Sequence, residues 1–467
     1  MATQAKDRTK LHLVLTVAII FMLIILFISY GVRSTGTYYD DDIAHYIIAR
    51  FSWKHPTLFF NTWGRPVFTL LYAPIALLSF SAVRIFSAII AGATCLGGIY
   101  LARLYNVRWY WLAAIFIGLQ PEFLRQSFSG LTELSFAFVF CIALIAYKKQ
   151  NWVIMALASG LLPLARYESL PIVLVFALIL IQHKKFYLLL LVAGPLLIQN
   201  SFWAIMHQNF SSLLFPLDQL LGLRQNAVKF DYGTGDALYY IRLLPKAFGG
   251  IIFVLLCYGA IREKFGVLHL CILLTIGTLS ITYWLLPAAG VAGYVRHLSV
   301  MAPAVGVLAT IGLEKFFESF TTLFSTSLQH RYEVVTLVAK ISIVLGLAVF
   351  TVSSVQPFYL NEEQQVVIQA ANWFKNSDYK DRLVLGSHIY FEYVIDRDVL
   401  DRSAFLPITL QNVYQSPKGS IIVWDSHYSN HLDWNTPLEI LQDGTRFHLL
   451  QSWNKGDFKL FIYEKSD

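Results

Sequence analysis

Long apolar stretches recur along this chain, and they limit its fold more than any other feature. The first, Leu11 to Tyr30, has the length of a bilayer crossing. No small-residue cleavage site follows it, so it reads as a span and not as a removable signal. Soluble domains are about 45–50% apolar and about 25% charged. This chain of 467 residues is 56% hydrophobic and 14% charged, with a mean hydropathy of +0.56. The apolar runs are continuous rather than alternating, which points to helices and not to a barrel.

Eleven segments read as candidate spans: 11–30, 83–102, 109–120, 131–147, 152–163, 169–182, 186–206, 247–261, 266–286, 297–313 and 335–356. The basic clusters lie at Lys6/Arg8/Lys10, Arg103/Arg108, Lys148/Lys149, His183/Lys184/Lys185, Arg262/Lys264 and Lys315/Arg331. With eleven spans, all of them fall on one side, which the positive-inside rule assigns to the cytoplasm. The loops 31–82 and 207–246 and the segment after residue 356 then face outward. Within the first loop, the apolar stretch Arg65 to Leu78 contains Pro74, and we read it as an interfacial or re-entrant helix. The net charge of +7 is distributed as topology signals, so it does not argue for a nucleic-acid partner. The four cysteines, Cys95, Cys141, Cys257 and Cys271, lie in apolar segments and imply packing, not disulfides.

After Gln356-Pro357 the chain becomes charged and carries short β-rich runs. Leu383–Gly386, Ile421–Trp424 and Lys459–Tyr463 read as strands and Val366–Trp373 as a helix. This divides the chain into a membrane domain, 1–356, and an extracytoplasmic α/β domain with a partly parallel sheet, 357–467. Ser387-His388 and Ser426-His427 each follow a strand, and we read them as turn residues.

The chemistry-bearing stretch is Tyr39-Asp40-Asp41-Asp42-Ile43-Ala44-His45-Tyr46, just beyond the first span. Charges so close to a bilayer are costly unless they sit in water or in a built cavity. Asp40 fits a helix N-cap, and Asp41 and Asp42 the first turn, where free N–H groups and the helix dipole favour carboxylates. Asp42, His45, Tyr46 and Ala49 share a helix face by their spacing. A plain acidic helix cap is the competing account of the same residues. Further cations stand at outward span ends, Arg166 with Glu168 after Pro163 and Arg296-His297 after Tyr294, while Arg65 in Trp63-Gly64-Arg65-Pro66 stands just ahead of the re-entrant helix. Arg166 and Glu168 are also placed to pair with each other. Arg125 and Glu122 lie in the outer loop between the third and fourth spans, and Glu133 begins the fourth, where it fits a cap.

Asp41-Asp42-Ile43, His45-Tyr46, His55-Pro56 and Gly64-Arg65-Pro66 together resemble the first outer loop of the GT-C superfamily of membrane glycosyltransferases. That group includes dolichyl-phosphate-mannose mannosyltransferases and bacterial aminoarabinose transferases. Pro121–Glu133, Pro163–Glu168 and Gly293–His297 resemble later segments of the same family, and a soluble tail is usual in its bacterial branch. The family's acidic pair is often Asp-Glu; here the second member is Asp42, which leaves the register open between Asp40 and Asp41.

The resemblance implies a multi-pass helical GT-C fold; the short N-terminus without an organelle signal favours a bacterial inner membrane, and the basic clusters put the N-terminus in the cytoplasm. The resemblance also implies transfer of a monosaccharide from a polyprenyl-phosphate carrier to a lipid, glycan or protein acceptor outside, with inversion. Asp41 would be the base, with Asp40 or Asp42 helping. Arg296, His297, Tyr294, Arg65, Arg166, Glu168, His45 and His55 would serve the donor phosphate or the substrate. A divalent cation held by Asp41, Asp42 and His45 stays open. The rivals are a transporter or flippase of a lipid-linked sugar and a non-catalytic assembly subunit. A transporter would place its ionisable residues near mid-bilayer, in two related halves. A glycine- and aromatic-bearing loop, Lys229–Asp236, reads as an ordinary surface loop, with a lid over a sugar site as the alternative.

Overall fold

The computed structural model describes residues 2–206, 208, 213–215, 235–285, 293–321, 329–430 and 434–466. Lys229–Thr234 of the suggested lid lie outside them. The chain forms two units, one comprising Met1–Val32 with Ile48–Gln356, the other Arg33–Ile47 with Pro357–Asp467. The acidic stretch thus belongs to the second unit, together with the C-terminal segment.

The first unit is helical and each of the eleven apolar segments overlaps a helix. Among the described residues, five helices are long and apolar enough to cross a membrane: His12–Arg33, Phe80–Leu104, Phe186–Met206, Val267–Leu285 and Val295–Ser319. A sixth crossing is available if Tyr239–Phe248 and Gly250–Arg262, which meet at 112°, make one broken span. This is a multi-pass membrane protein. The segment 109–120 is helical only over Leu112–Gly118, and a separate short helix starts at Pro121. Pro66–Ala76 is a helix of 11 residues that runs through Pro74. At about 1.5 Å per residue it is too short to cross, as expected of a re-entrant piece.

Small residues set the closest helix contact. A Cβ on Gly259 would stand 2.1 Å from the Leu308 carbonyl oxygen, and one on Gly312 would stand 2.0 Å from that of Leu255. Helices Gly250–Arg262 and Ala302–Thr321 therefore pack backbone to backbone, a device common where no hydrophobic effect drives helices together. Cys95, Cys141 and Cys271 are buried as expected, but Cys257 faces outward from helix Gly250–Arg262.

The described residues of the second unit contain five strands: β1 (Val384–Gly386), β2 (Phe405–Pro407), β3 (Ile421–Asp425), β4 (Phe447–Lys455) and β5 (Phe458–Lys465). Their order is β2-β1-β3-β5-β4. β1 runs parallel to β2 and β3, while β3/β5 and β5/β4 are antiparallel, so the sheet is partly parallel. Leu385, Ile408, Val413, Ile422, Trp424 and Phe447 belong to the core on it. Residues 33–47 are strapped to this domain by backbone pairing. The amides of Thr35 and Gly36 both donate to the Phe358 carbonyl (2.8 and 2.9 Å), and the Phe358 amide donates to Ser34 Oγ (3.0 Å). Tyr38 stacks on Phe358 with ring centres 5.3 Å apart.

Gly36 makes the close approach possible, since a Cβ there would lie 2.4 Å from the Tyr359 carbonyl oxygen. That neighbour is backbone and yields little. Gly36→Ala is expected to destabilise the strap by about 1–3 kcal/mol, the range for overpacking. Limited proteolysis should then cut the 33–47 segment faster than in the wild type. Equal cleavage rates would contradict the contact.

Candidate functional site

The helix carrying the acidic stretch runs Asp41–Phe51. The Asp40 carbonyl accepts the amides of Ile43 and Ala44 (3.0 and 3.1 Å), so Asp40 occupies the N-cap position. The face inferred from spacing is the buried one: Asp42 is 0%, His45 6%, Tyr46 3% and Ala49 0% exposed. Asp42 Oδ2 accepts the Tyr38 amide (3.2 Å). Asp41 is half-buried and lies off that face. The three aspartates thus have three different surroundings.

Asp40 reaches the C-terminal residues of its unit. Its Oδ1 accepts from Gln364 Nε2 (3.1 Å) and its Oδ2 from the Tyr428 hydroxyl (3.1 Å). Beside it, Glu363 Oε1 is met by His388 Nε2 (2.9 Å) and His427 Nδ1 (2.7 Å). These are the histidines of the two Ser-His pairs. Reading them as bare turn residues overlooked this convergence. Burial pushes the Glu363 carboxyl up, but the two histidine hydrogen bonds outweigh it and hold it down at about 2. Burial lowers the His388 pKa, yet the bond to Glu363 and the charges of Asp425 and Asp40 raise it overall. Among the described residues, Asp40, Glu363 and His388 form a group whose potential metal-ligand atoms lie within 4.8 Å of one another. Of the suggested metal ligands Asp41, Asp42 and His45, none belongs to that group.

In the membrane unit, helix ends bring the other candidates together. Arg166 stands in extended backbone after helix Trp152–Ala165, and Glu168 in the short 3₁₀ turn that follows. Arg296 and His297 lie in the 3₁₀ segment Val295–Met301, and Glu133 is the first residue of helix Glu133–Lys148. Glu133 Oε1 accepts from Arg166 Nη1 at 2.8 Å and lies 3.3 Å from Arg296 Nε and 3.9 Å from His297 Nε2. Arg166 Nη2 donates to Glu168 Oε1 (2.8 Å). The Tyr240 hydroxyl is 3.2 Å from His297 Nδ1, and the Arg296 guanidinium lies 4.5 Å from the centre of the Tyr294 ring. Arg65 stacks on Tyr167 at 4.2 Å. Its backbone sits at φ 54°, ψ 103°, a conformation costing about 1–3 kcal/mol that persists only when surroundings impose it.

All but Arg65 of these charged groups are buried, with Glu133 only 1% exposed. The three guanidiniums exceed the two carboxylates by one positive charge, before His297 is counted. A small, partly open pocket beside them is lined by Arg166, Glu168, Ser169 and His297 among apolar side chains such as Phe136 and Leu279. Sequence reasoning placed Arg166, Glu168, Arg296 and His297 but treated Glu133 as a cap, and it is the hub. It missed Tyr240. His55 lies elsewhere in this unit, at the N-cap of the 3₁₀ turn Pro56–Phe60. The residues grouped by sequence therefore divide between the two units: Asp40, Asp41, Asp42 and His45 in one, the rest in the other.

No family model matches this chain. No curated protein matches it either. Solved structures do, and they share its fold. Two crystal structures of ArnT from Cupriavidus metallidurans superpose on it with a TM-score of 0.60, covering 97% of both chains. One is in the apo state, at 12% sequence identity, and the other is bound to undecaprenyl phosphate, at 13%.

Proposed function

We propose that this chain is a glycosyltransferase that takes a monosaccharide from a polyprenyl-phosphate carrier and passes it to an acceptor outside the cytoplasm. The observation that carries this reading is the arginine cluster, in which two buried guanidiniums balance two buried carboxylates and half-buried Arg65 adds one positive charge, on a fold shared over nearly the whole length of ArnT. A surplus guanidinium at the edge of a low-dielectric site suits a lipid phosphate, whose charge grows as the sugar leaves. Arg296 and Arg65 are the residues we assign to that charge. Arg166 has both terminal nitrogens engaged by Glu133 and Glu168, so we assign it to holding the cluster in place.

Asp41 is the base: Asp40 is half-buried too, but it is the N-cap and its carboxylate is held by Gln364 and Tyr428, and Asp42 is fully buried, whereas Asp41 is half-buried in the first turn of the helix. Direct attack by the deprotonated acceptor inverts the anomeric carbon. In this reading the membrane is a bacterial inner one, and the acidic loop and the C-terminal domain lie outside, on the side opposite the basic clusters.

The test offers purified protein a panel of undecaprenyl-phosphate-linked sugars and follows release of undecaprenyl phosphate, with and without EDTA. Release from at least one donor is expected. If no donor is cleaved, while proteoliposomes move a lipid-linked sugar from one leaflet to the other, the enzyme reading is lost to the transporter.

A further inference from the structure

In open α/β sheets, ligands bind in the crevice beyond the carboxyl ends of the parallel strands. In the C-terminal domain, the residues leaving those ends of β1 and β3 are Ser387-His388 and Ser426-His427-Tyr428. What meets them is a segment of the same chain, the loop that carries Asp40. We infer that the C-terminal domain is a positioning device for the acidic loop: its strand-end residues and the first turn of helix Glu362–Lys375 clamp Asp40 and so fix the first turn that presents Asp41. The catalytic half of this inference rests on the reading of Asp41 given above; the clamp does not.

The clamp is built from rigid parts. Helix Glu362–Lys375 opens with a capping box. Asn361 Oδ1 accepts the Gln364 amide (2.7 Å), and Gln364 Oε1 accepts the Asn361 amide (3.3 Å). That leaves Gln364 Nε2 to donate, to Asp40 Oδ1 and to Thr37 Oγ1 (3.3 Å). The Tyr390 hydroxyl holds the same Thr37 Oγ1 (2.9 Å). Tyr428 is aimed at Asp40 by its neighbours, with its ring edge-on to His388 (5.2 Å) and stacked on His427 (4.1 Å). Both of those histidines are tied to Glu363. A change at Glu363 or His388 therefore reaches Asp40 through Tyr428.

A metal ion on Asp40, Glu363 and His388 is the competing occupant. The hydrogen bonding of His388 argues against it. His388 Nδ1 accepts the Tyr390 amide (3.2 Å), which puts the ring proton on Nε2, the atom facing Glu363. A metal ligand needs that nitrogen bare and its other nitrogen donating. The geometry is that of an N–H donor to a carboxylate.

The experiment uses the full-length protein in detergent. Hydrogen exchange is measured at the amides of Thr35, Gly36 and Ile43–Tyr46, and metal content by mass spectrometry. Tyr428→Phe, which removes a single hydroxyl, is expected to raise exchange at Ile43–Tyr46 about tenfold, as loss of a bond to a charged group implies. With a donor from the panel above, kcat should fall about three- to tenfold and the donor KM should hold within about twofold. His388→Gln retains an N–H donor towards Glu363, and it should keep exchange close to wild type where His388→Ala does not. Unchanged exchange in Tyr428→Phe overturns the clamp, and raised exchange with unchanged kcat overturns its catalytic role. Stoichiometric zinc or manganese that is lost in Asp40→Asn replaces the clamp with a metal site. Asp41→Asn, measured in parallel, separates these failures: turnover there defeats the base assignment and leaves the exchange result standing.

Discussion

Asp41→Asn is expected to lower turnover by about 10²–10⁴-fold, the usual contribution of a positioned general base. Asparagine keeps the shape and the half-buried place of the side chain in the first turn of helix Asp41–Phe51. It loses the charge that the helix N-terminus favours, a cost of about 0.3–1 kcal/mol, so the protein should still fold and elute as a monodisperse peak. The neighbouring aspartates provide the contrast. Asp42 is fully buried and takes the Tyr38 amide, so Asp42→Asn should lower thermal stability along with activity. Asp40→Asn should weaken the bonds from Gln364 and Tyr428 and act through the loop's order. Carrier release is the readout, at saturating donor. Wild-type turnover in Asp41→Asn, with a fall only in Asp42→Asn, would move the base by one residue and exchange the roles of the pair.

Much of this fold is written in local pattern. Continuous apolar runs mark the helices of the membrane unit, because a buried crossing helix has no polar side to break the run. β3 is buried at all five positions and reads as a strand for the same reason. β4 and β2 were missed for opposite reasons. β4 is largely exposed and mixes Gln, Ser, Asn and Lys into its length, while β2 has three residues and ends in a proline. The candidate site was legible where its residues interrupt apolar runs: a charge at a span end such as Arg166 or Arg296 stands out against its surroundings.

What was not legible depends on contacts between residues far apart in the chain. Asp40 and Tyr428 are 388 residues apart, and Arg166 and Glu133 are 33 apart. No periodicity reports such pairs. Glu133 at the start of a helix has the sequence signature of any acidic cap, and only its burial to 1% shows otherwise. The Ser-His repetition after two strands was a real signal. It lacked meaning until the partner, Glu363, came from a helix that precedes both strands.

Glu133→Gln should be the most destabilising single substitution in the arginine cluster. One oxygen of Glu133 faces Arg166 Nη1 and Arg296 Nε at 2.8 and 3.3 Å. Removing that charge leaves two buried guanidiniums with Glu168 as their remaining carboxylate in the cluster. Breaking a buried pair from one side costs about 3–5 kcal/mol, because the desolvated partner keeps its charge. Glu122→Gln is the contrast: Glu122 is as buried as Glu133, but its partner Arg125 is 21% exposed, so water can take over part of that charge and the loss should be smaller than at Glu133. Unfolding in detergent, followed by intrinsic fluorescence, reads both. The double variant Glu133→Gln/Arg166→Met separates charge from shape. If stranded charge is the cause, removing Arg166 as well should recover about 0.5–3 kcal/mol, the range of coupling between contacting residues. A double variant less stable than Glu133→Gln by the full cost of Arg166→Met alone would mean that the two side chains act independently. The cluster would then be held by packing, and the surplus positive charge assigned to the donor phosphate would have to be counted without Glu133.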